Sequence, residues 1–206
     1  MLPVTQETDS PPDGLRSRKK EKTRRAIEDA ALDLFAEQGY EATTVDEIAE
    51  RAEVSKATFF RYFGTKGEVI FGDTGDQHEA LRTAIVERPM TEDDVTAVRQ
   101  AIRADWTHTL DPQRTARQAR AANTSPVLRG LSFDLGLAWQ TAICEALVER
   151  HGLAGPNQRC WLVANLAFAV LSNGVNTWMH NGFRGDLVAE IDHAFDLLGE
   201  VCADYS

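Results

Sequence analysis

No lysine follows Lys66 in this 206-residue chain; residues 67–206 carry 11 arginines against 19 Asp and Glu. Cysteine is scarce as well. Cys144, Cys160 and Cys202 form an odd set without CxxC spacing, which excludes a zinc ribbon or a disulfide framework and fits a reducing cytoplasm. No apolar run reaches the roughly 18 uncharged residues of a membrane span. The most apolar stretch, Cys160 to Val175, contains Asn165, Ser172 and Asn173 and reads as a buried or interface helix. Met1 to Gly14 has three prolines but no basic residue and no apolar stretch, so it is not read as a signal peptide; residues 1–15 are expected to be a disordered arm. There is no GxSxG, no HExxH and no P-loop, and the carboxylate pair Asp93-Asp94 lacks a downstream partner. No enzyme constellation, metal site or cofactor is therefore expected.

What is present begins with an uneven distribution of charge. The formal net charge is -10, which spread evenly would repel nucleic acid. Residues 16–66, however, hold 11 Lys and Arg against 10 acids, and seven of those cations, Arg16, Arg18, Lys19, Lys20, Lys22, Arg24 and Arg25, lie in one short run. A polyanion is drawn to the first third and repelled by the rest.

Periodicity predicts helices throughout and no strand. Ile27, Ala30, Ala31, Leu34 and Phe35 share one face of a first helix, roughly Ser17 to Gln38, with Gly39 placed as its C-terminal cap. Thr44 with Glu47 has the spacing of a capping box and opens a short second helix through Val45, Ile48, Ala49 and Ala52. After a turn at Glu53-Val54, Ser55 caps a third helix, Lys56 to Phe63, with Phe59 and Phe63 inward and Lys56, Arg61 and Tyr62 outward. Thr65 with Glu68 reads as a second capping box, opening one long fourth helix through Val69, Ile70 and Phe71 to Leu81 and Ile85, bent at Gly72 or Gly75. Further helices are expected near 91–110, 113–124, 126–151, 156–181 and 186–203, separated by proline and glycine. The predicted fold is all-α, about nine helices: an arm at 1–15, a three-helix helix-turn-helix domain at 16–68, and a helical domain at 69–206.

Two short capped helices joined by a tight turn, the second with aromatic residues inside and Lys, Arg, Ser and Thr outside, have the plan of a DNA-binding helix-turn-helix. From Val54 to Lys66 there are three cations and no acid, so nothing in that stretch opposes a phosphate or a base acceptor. The alternative use of such a surface is docking to protein, as an adaptor.

The segment AALDLFAEQGYEATTVDEIAERAEVSKATFFRYFGTKGEV, with Phe35, Gly39, Thr44, Ile48, Ala49, Val54, Ser55, Phe63 and Lys66 in order, resembles the TetR-family DNA-binding domain. The resemblance implies that Thr44 meets a phosphate at the start of the second helix and that Ser55, Lys56 and Thr58 open the recognition helix in the major groove. Arg61 and Tyr62 would contact a base edge or phosphate, and Lys66 a phosphate. Where the family usually has Tyr, this chain has Phe60. That ring either presses on a thymine methyl or the sugar backbone, or packs against the first helix. The basic run at 16–25 is expected to touch backbone or minor groove.

All four tryptophans lie after residue 90. A ligand site between helices is mostly apolar with a few orienting polar groups, and its candidates here are Arg103, Trp106, Phe133, Trp139, Asn165, Phe168 and Trp178. The TFFRYF run, Gly72-Asp73, and the series Trp139-Gln140, Glu149-Arg150-His151-Gly152, Trp178 and Asp186-Leu187 also look like an actinobacterial branch that includes regulators of the mycofactocin type. That likeness implies a ligand such as a fatty acyl-CoA, with Arg103, Arg117, Arg120 and Arg129 as candidates for its phosphates. The last two helices, carrying Leu162, Leu166, Ala169, Val170 and Val175, then Leu187, Ile191, Ala194, Phe195, Leu198 and Val201, are expected to form a homodimer interface. The function so implied is a ligand-responsive regulator, a repressor on double-stranded operator DNA, with no membrane partner.

Overall fold

The computed structural model describes residues 13–70, 74–109 and 111–203, and the side chains of 18–70, 77–105 and 111–203. The expected arm up to residue 12, the side chains of Arg16 and Trp106, and Gly72-Asp73 lie outside the described residues. Among those described there are nine α-helices, one 3-10 turn and no strand. They divide into two compact units, Met1–Ile70 and Phe71–Ser206.

The first unit contains α1 (Asp13–Gln38), α2 (Val45–Arg51), α3 (Lys56–Tyr62) and the 3-10 turn Glu68–Ile70. Its core is Ile27, Ala31, Leu34 and Phe35 of α1, closed by Ile48 and Ala49, Phe59 and Phe63, and Val69 and Ile70, all buried. Three- and four-residue spacing sets these side chains on one stripe of α1. Gly39 ends that helix at φ 87°, a left-handed cap that glycine adopts without steric cost, and its N–H donates to the Phe35 carbonyl at 3.0 Å. α1 also begins earlier than its apolar stripe requires, at Asp13.

The expected single fourth helix is corrected by the structure. Glu68 N–H does donate to Thr65 Oγ1, at 3.4 Å, but the Glu68 carboxylate accepts from the Gly64 N–H at 2.9 Å rather than from the Thr65 N–H. The return arm of the box is thus taken one residue upstream, and the segment closes as a single 3-10 turn. The next described helix, α4, begins at Thr74.

The second unit comprises α4 (Thr74–Val86), α5 (Asp94–Thr109), α6 (Pro112–Thr124), α7 (Pro126–Arg150), α8 (Gln158–His180) and α9 (Leu187–Ala203). The main packing pairs are α8 with α9, α4 with α7, and α7 with α8. Leu81, Ile85, Val98, Ile102, Ile143, Leu147, Ala167, Leu171, Ile191 and Phe195 fill the shared core. Two glycines permit close approach: a Cβ on Gly136 would overlap the Phe168 ring, and one on Gly174 would lie 3.0 Å from the Ile191 Cα.

Charged groups lock this bundle from inside. The buried Arg150 guanidinium, at the end of α7, donates to the carbonyls of Arg88 at 2.5 Å and Pro89 at 2.6 Å, and to those of Ile85 and Glu92 at 3.3 Å. It therefore ties the end of α7 to the last turn of α4, at Ile85, and to the loop that joins α4 to α5. Buried Asp94, in the first turn of α5, holds His151 Nε2 at 2.7 Å and Arg159 Nε at 3.0 Å. Burial pushes its pKa up, but the bonds from His151 and Arg159 outweigh that and hold it below the ordinary carboxylate value.

Candidate nucleic-acid interface

Thr44 starts α2 through a reciprocal pair of bonds: Glu47 N–H donates to Thr44 Oγ1 at 3.2 Å, and Thr44 N–H donates to Glu47 Oε2 at 2.7 Å. Those donors, the Thr44 backbone first, then its hydroxyl and the Gln38 amide, hold the Glu47 carboxyl below its usual pKa. The following turn passes through Glu53 at φ 55°, with Val54 N–H on the Ala49 carbonyl at 2.9 Å. A side chain in that left-handed region costs about 1–2 kcal/mol. The turn is therefore enforced by its surroundings.

Ser55 caps α3, accepting the Thr58 N–H at 3.0 Å. Its fixed start sets the phase of the helix. Phe59 and Phe63 enter the core, and Ser55, Lys56, Ala57, Phe60 and Arg61 are left on the outside, with Thr58 and Tyr62 half-buried. The Arg61 guanidinium lies 5.3 Å from the centre of the Tyr62 ring and makes no ion pair among the described residues. Phe60 is 49% exposed, its ring edge-on to that of Phe59.

Two features change the expected picture. The outward face of α3 receives an acid after all, since Asp46 of α2 pairs with Lys56 at 2.8 Å. Sequence reasoning missed this contact because it joins positions ten residues apart across the turn. Lys66, named as a candidate for a phosphate, here donates to the carbonyls of Tyr40 at 2.6 Å and Thr43 at 2.7 Å, with that of Glu41 at 3.4 Å, and its ammonium sits 4.3 Å from the Tyr40 ring centre. The carbonyls of the α1–α2 loop thus take up its three N–H groups. In this geometry Lys66 fastens that loop.

Along the basic run, Arg18, Lys19, Lys20, Lys22 and Arg25 are exposed on the early turns of α1. Arg25 pairs with Glu21 at 2.9 Å, and Arg24 turns inward over the Phe63 ring at 4.9 Å.

The expected ligand residues of the second unit are not gathered at one place. Arg103 Nε faces Asp192 of α9 at 3.4 Å. Phe133, on α7, is 64% exposed, and Asn165, on α8, is also exposed. Trp178 is buried and donates to the Gly185 carbonyl at 3.3 Å, its ring edge-on to Phe183, as a core tryptophan does. Phe168 and Trp139 do come to neighbouring turns of α7: Phe168 lies on Gly136, and Trp139 meets the His78 ring at 4.9 Å. His78, which sequence reasoning did not single out, carries a buried Nε2, and burial lowers its pKa.

On the dimer face, Val170, Leu187, Ile191, Ala194 and Phe195 are used in the unit's own core. That corrects their assignment to an intersubunit surface: α8 and α9 pack on each other and on the unit's other helices through these side chains. Trp161 and Leu162 on α8, and Leu197 and Val201 on α9, are the large apolar side chains those two helices leave exposed. No helix among the described residues is long and apolar enough to cross a membrane.

Residues 27–71 match the family described as bacterial regulatory proteins, tetR family, and residues 92–203 match the MftR C-terminal domain. The HTH-type transcriptional regulator TcmR of Streptomyces glaucescens is 44% identical over 102 residues, 50% of this chain and 45% of that protein. The Mycobacterium tuberculosis protein MftR, described as a mycofactocin biosynthesis transcriptional regulator, is 27% identical over 188 residues, 88% of this chain and 92% of that one. In three dimensions the chain is similar to the transcriptional regulator FadR from Bacillus subtilis in complex with stearoyl-CoA, with a TM-score of 0.59 at 22% identity over 84% of this chain and 96% of that one. The two domain matches, the second spanning more than half of the chain, place this protein in the tetR family of transcriptional regulators, in the branch with an MftR-type C-terminal domain and outside the enzymes.

Proposed function

We propose that this chain is a repressor that binds a palindromic operator in the cytoplasm as a homodimer and is released by a small hydrophobic effector of the fatty acyl-CoA class. The observation that carries the reading is the outer face of α3, where a fixed serine cap sets Ser55, Lys56, Phe60 and Arg61 outward while Phe59 and Phe63 anchor the helix. Such a helix enters the major groove by its N-terminal half. Thr44 meets a phosphate at the start of α2, Thr58 and Tyr62 flank the reading face, and Arg61 leaves its perch on Tyr62 to pair with a guanine edge. Lys66 acts indirectly, by holding the loop that presents Thr44.

Homodimerisation is supported by the apolar residues exposed on α8 and α9, and it gives the two recognition helices required by half-sites about 34 Å apart. The acyl-CoA assignment is supported by the MftR-type domain and by the fold shared with a regulator solved with stearoyl-CoA. Trp139 and Phe168 are the expected apolar wall, and Arg103, Arg117, Arg120 and Arg129 are the candidates for the ligand's phosphates.

The test is fluorescence anisotropy of labelled DNA from upstream of the chain's own gene, with palmitoyl-CoA then titrated into the complex. Release at micromolar thioester, with a dimer mass for the free protein, is the expected result. Binding without release overturns the effector class and leaves the repressor; absence of binding to DNA overturns the repressor and favours an adaptor.

A further inference from the structure

The recognition helix exposes more carbon than free charge. Its two cations are engaged, Lys56 with Asp46 at 2.8 Å and Arg61 over the Tyr62 ring. Between them, Ala57 and Phe60 stand three residues apart on one exposed face, the spacing that makes helical side chains neighbours. The Phe60 ring meets Phe59 edge-on, centres 5.4 Å apart at 85°. Phe59 is fully buried, so the exposed ring rests on a fixed support.

A phenyl ring offers no donor to a phosphate oxygen and no hydrogen bond to a base acceptor. The apolar feature that the major groove presents is the C5-methyl of a pyrimidine, carried in ordinary DNA by thymine. Ala57, exposed on the same face, adds only a methyl beside it.

Taking the repressor reading above as its basis, we propose that Phe60 and Ala57 form an apolar reader of a thymine C5-methyl, so that each operator half-site carries one thymine recognised by its methyl. The contact removes roughly one methyl group from water, about four-fold in affinity per half-site. Two half-sites give roughly fifteen-fold. Methylated cytosine presents the same group, and the experiment separates the two sources.

Full-length protein is used to select duplexes from an unmethylated random library. The best duplex is then remade with uracil replacing thymine at one symmetry-related pair of positions at a time. Uracil lacks only the methyl. At one pair of positions, uracil is expected to cost the wild type roughly fifteen-fold and Phe60→Ala less than about two-fold. Far-ultraviolet circular dichroism, unchanged in the variant because the residue is exposed, keeps the comparison clean. Insensitivity to uracil at every position, or an equal loss in wild type and variant, overturns the proposal while leaving operator binding intact. Tighter wild-type binding on replacing cytosine by 5-methylcytosine, with no uracil effect, overturns thymine as the source. Failure to select any sequence overturns the repressor reading itself.

Discussion

The two halves of this chain use charge in opposite ways. In the first unit most ions lie at the surface, on α1, at the ends of α2 and along α3, where a polyanion can reach them. In the second, Arg150 and Asp94 are buried and tie together segments about 60 residues apart. The first unit therefore reads as a surface built for a partner. The second reads as a bundle whose own helices are the partners of its ions. The contrast shows why net charge is a poor guide to function when the sequence is long enough to segregate it.

The largest expected break in this comparison comes from Arg150→Met. Four carbonyl contacts are lost in the interior; those of Ile85 and Pro89 keep backbone donors from Arg88 and Glu92, so the cost is about 1–3 kcal/mol for each of the other two, partly relieved by relaxation. A fall of roughly 3 kcal/mol corresponds to about 6–12 °C in the midpoint of a thermal melt. A variant as stable as the wild type would show that the bundle does not depend on its inner ion.

Lys66→Met sharpens the contrast from the other side. If Lys66 fastens the α1–α2 loop, the substitution lowers stability by about 2 kcal/mol and leaves the salt slope of DNA binding unchanged. A phosphate ligand would instead lower that slope by about 0.9 with little loss of stability.

Glu53→Gly works in the opposite direction. Relief of the left-handed turn outweighs the extra freedom of the unfolded glycine, and urea titration should show a gain of about 0.5–1 kcal/mol.

Asp46→Asn frees Lys56 for phosphate. Affinity for random duplex should rise a few-fold at low salt, and the slope of log K against log salt should steepen by up to about 0.9. An unchanged slope would mean that Lys56 does not reach the backbone.

The smallest effect concerns pH. Burial depresses the His78 pKa, so the unfolded chain binds a proton near pH 6.5 before the folded one does. Stability present above about pH 6.5 is lost as pH falls through the depressed folded value, and His78→Phe should flatten that part of the stability profile. The same slope in wild type and variant would place the titration elsewhere.

The first unit was the more legible in sequence for a physical reason. A capping box spans three residues and an inward aromatic pair spans four, so Thr44, Glu47, Ser55, Phe59 and Phe63 announce themselves locally. Contacts closed by the fold were not legible: Asp46 to Lys56 crosses a turn, and Lys66 reaches back 26 residues to Tyr40. In the second unit the helix bounds followed from proline, glycine and periodicity, but the facing of each helix did not. An aromatic residue at helical spacing fits equally well in a core, like Trp178, at a flank, like Trp139, or in the open, like Phe133. The apolar faces of α8 and α9 were divided between core and surface by tertiary packing that no local pattern encodes.

Whether the first unit reads DNA is tested by the affinity of the full chain for its own upstream duplex and for a random duplex of equal length, at 50 and 200 mM salt. Specific binding is expected to be at least roughly a thousand-fold tighter than random, with both affinities falling steeply with salt in proportion to the phosphates neutralised. Equal affinity for the two duplexes, or binding indifferent to salt, would contradict it.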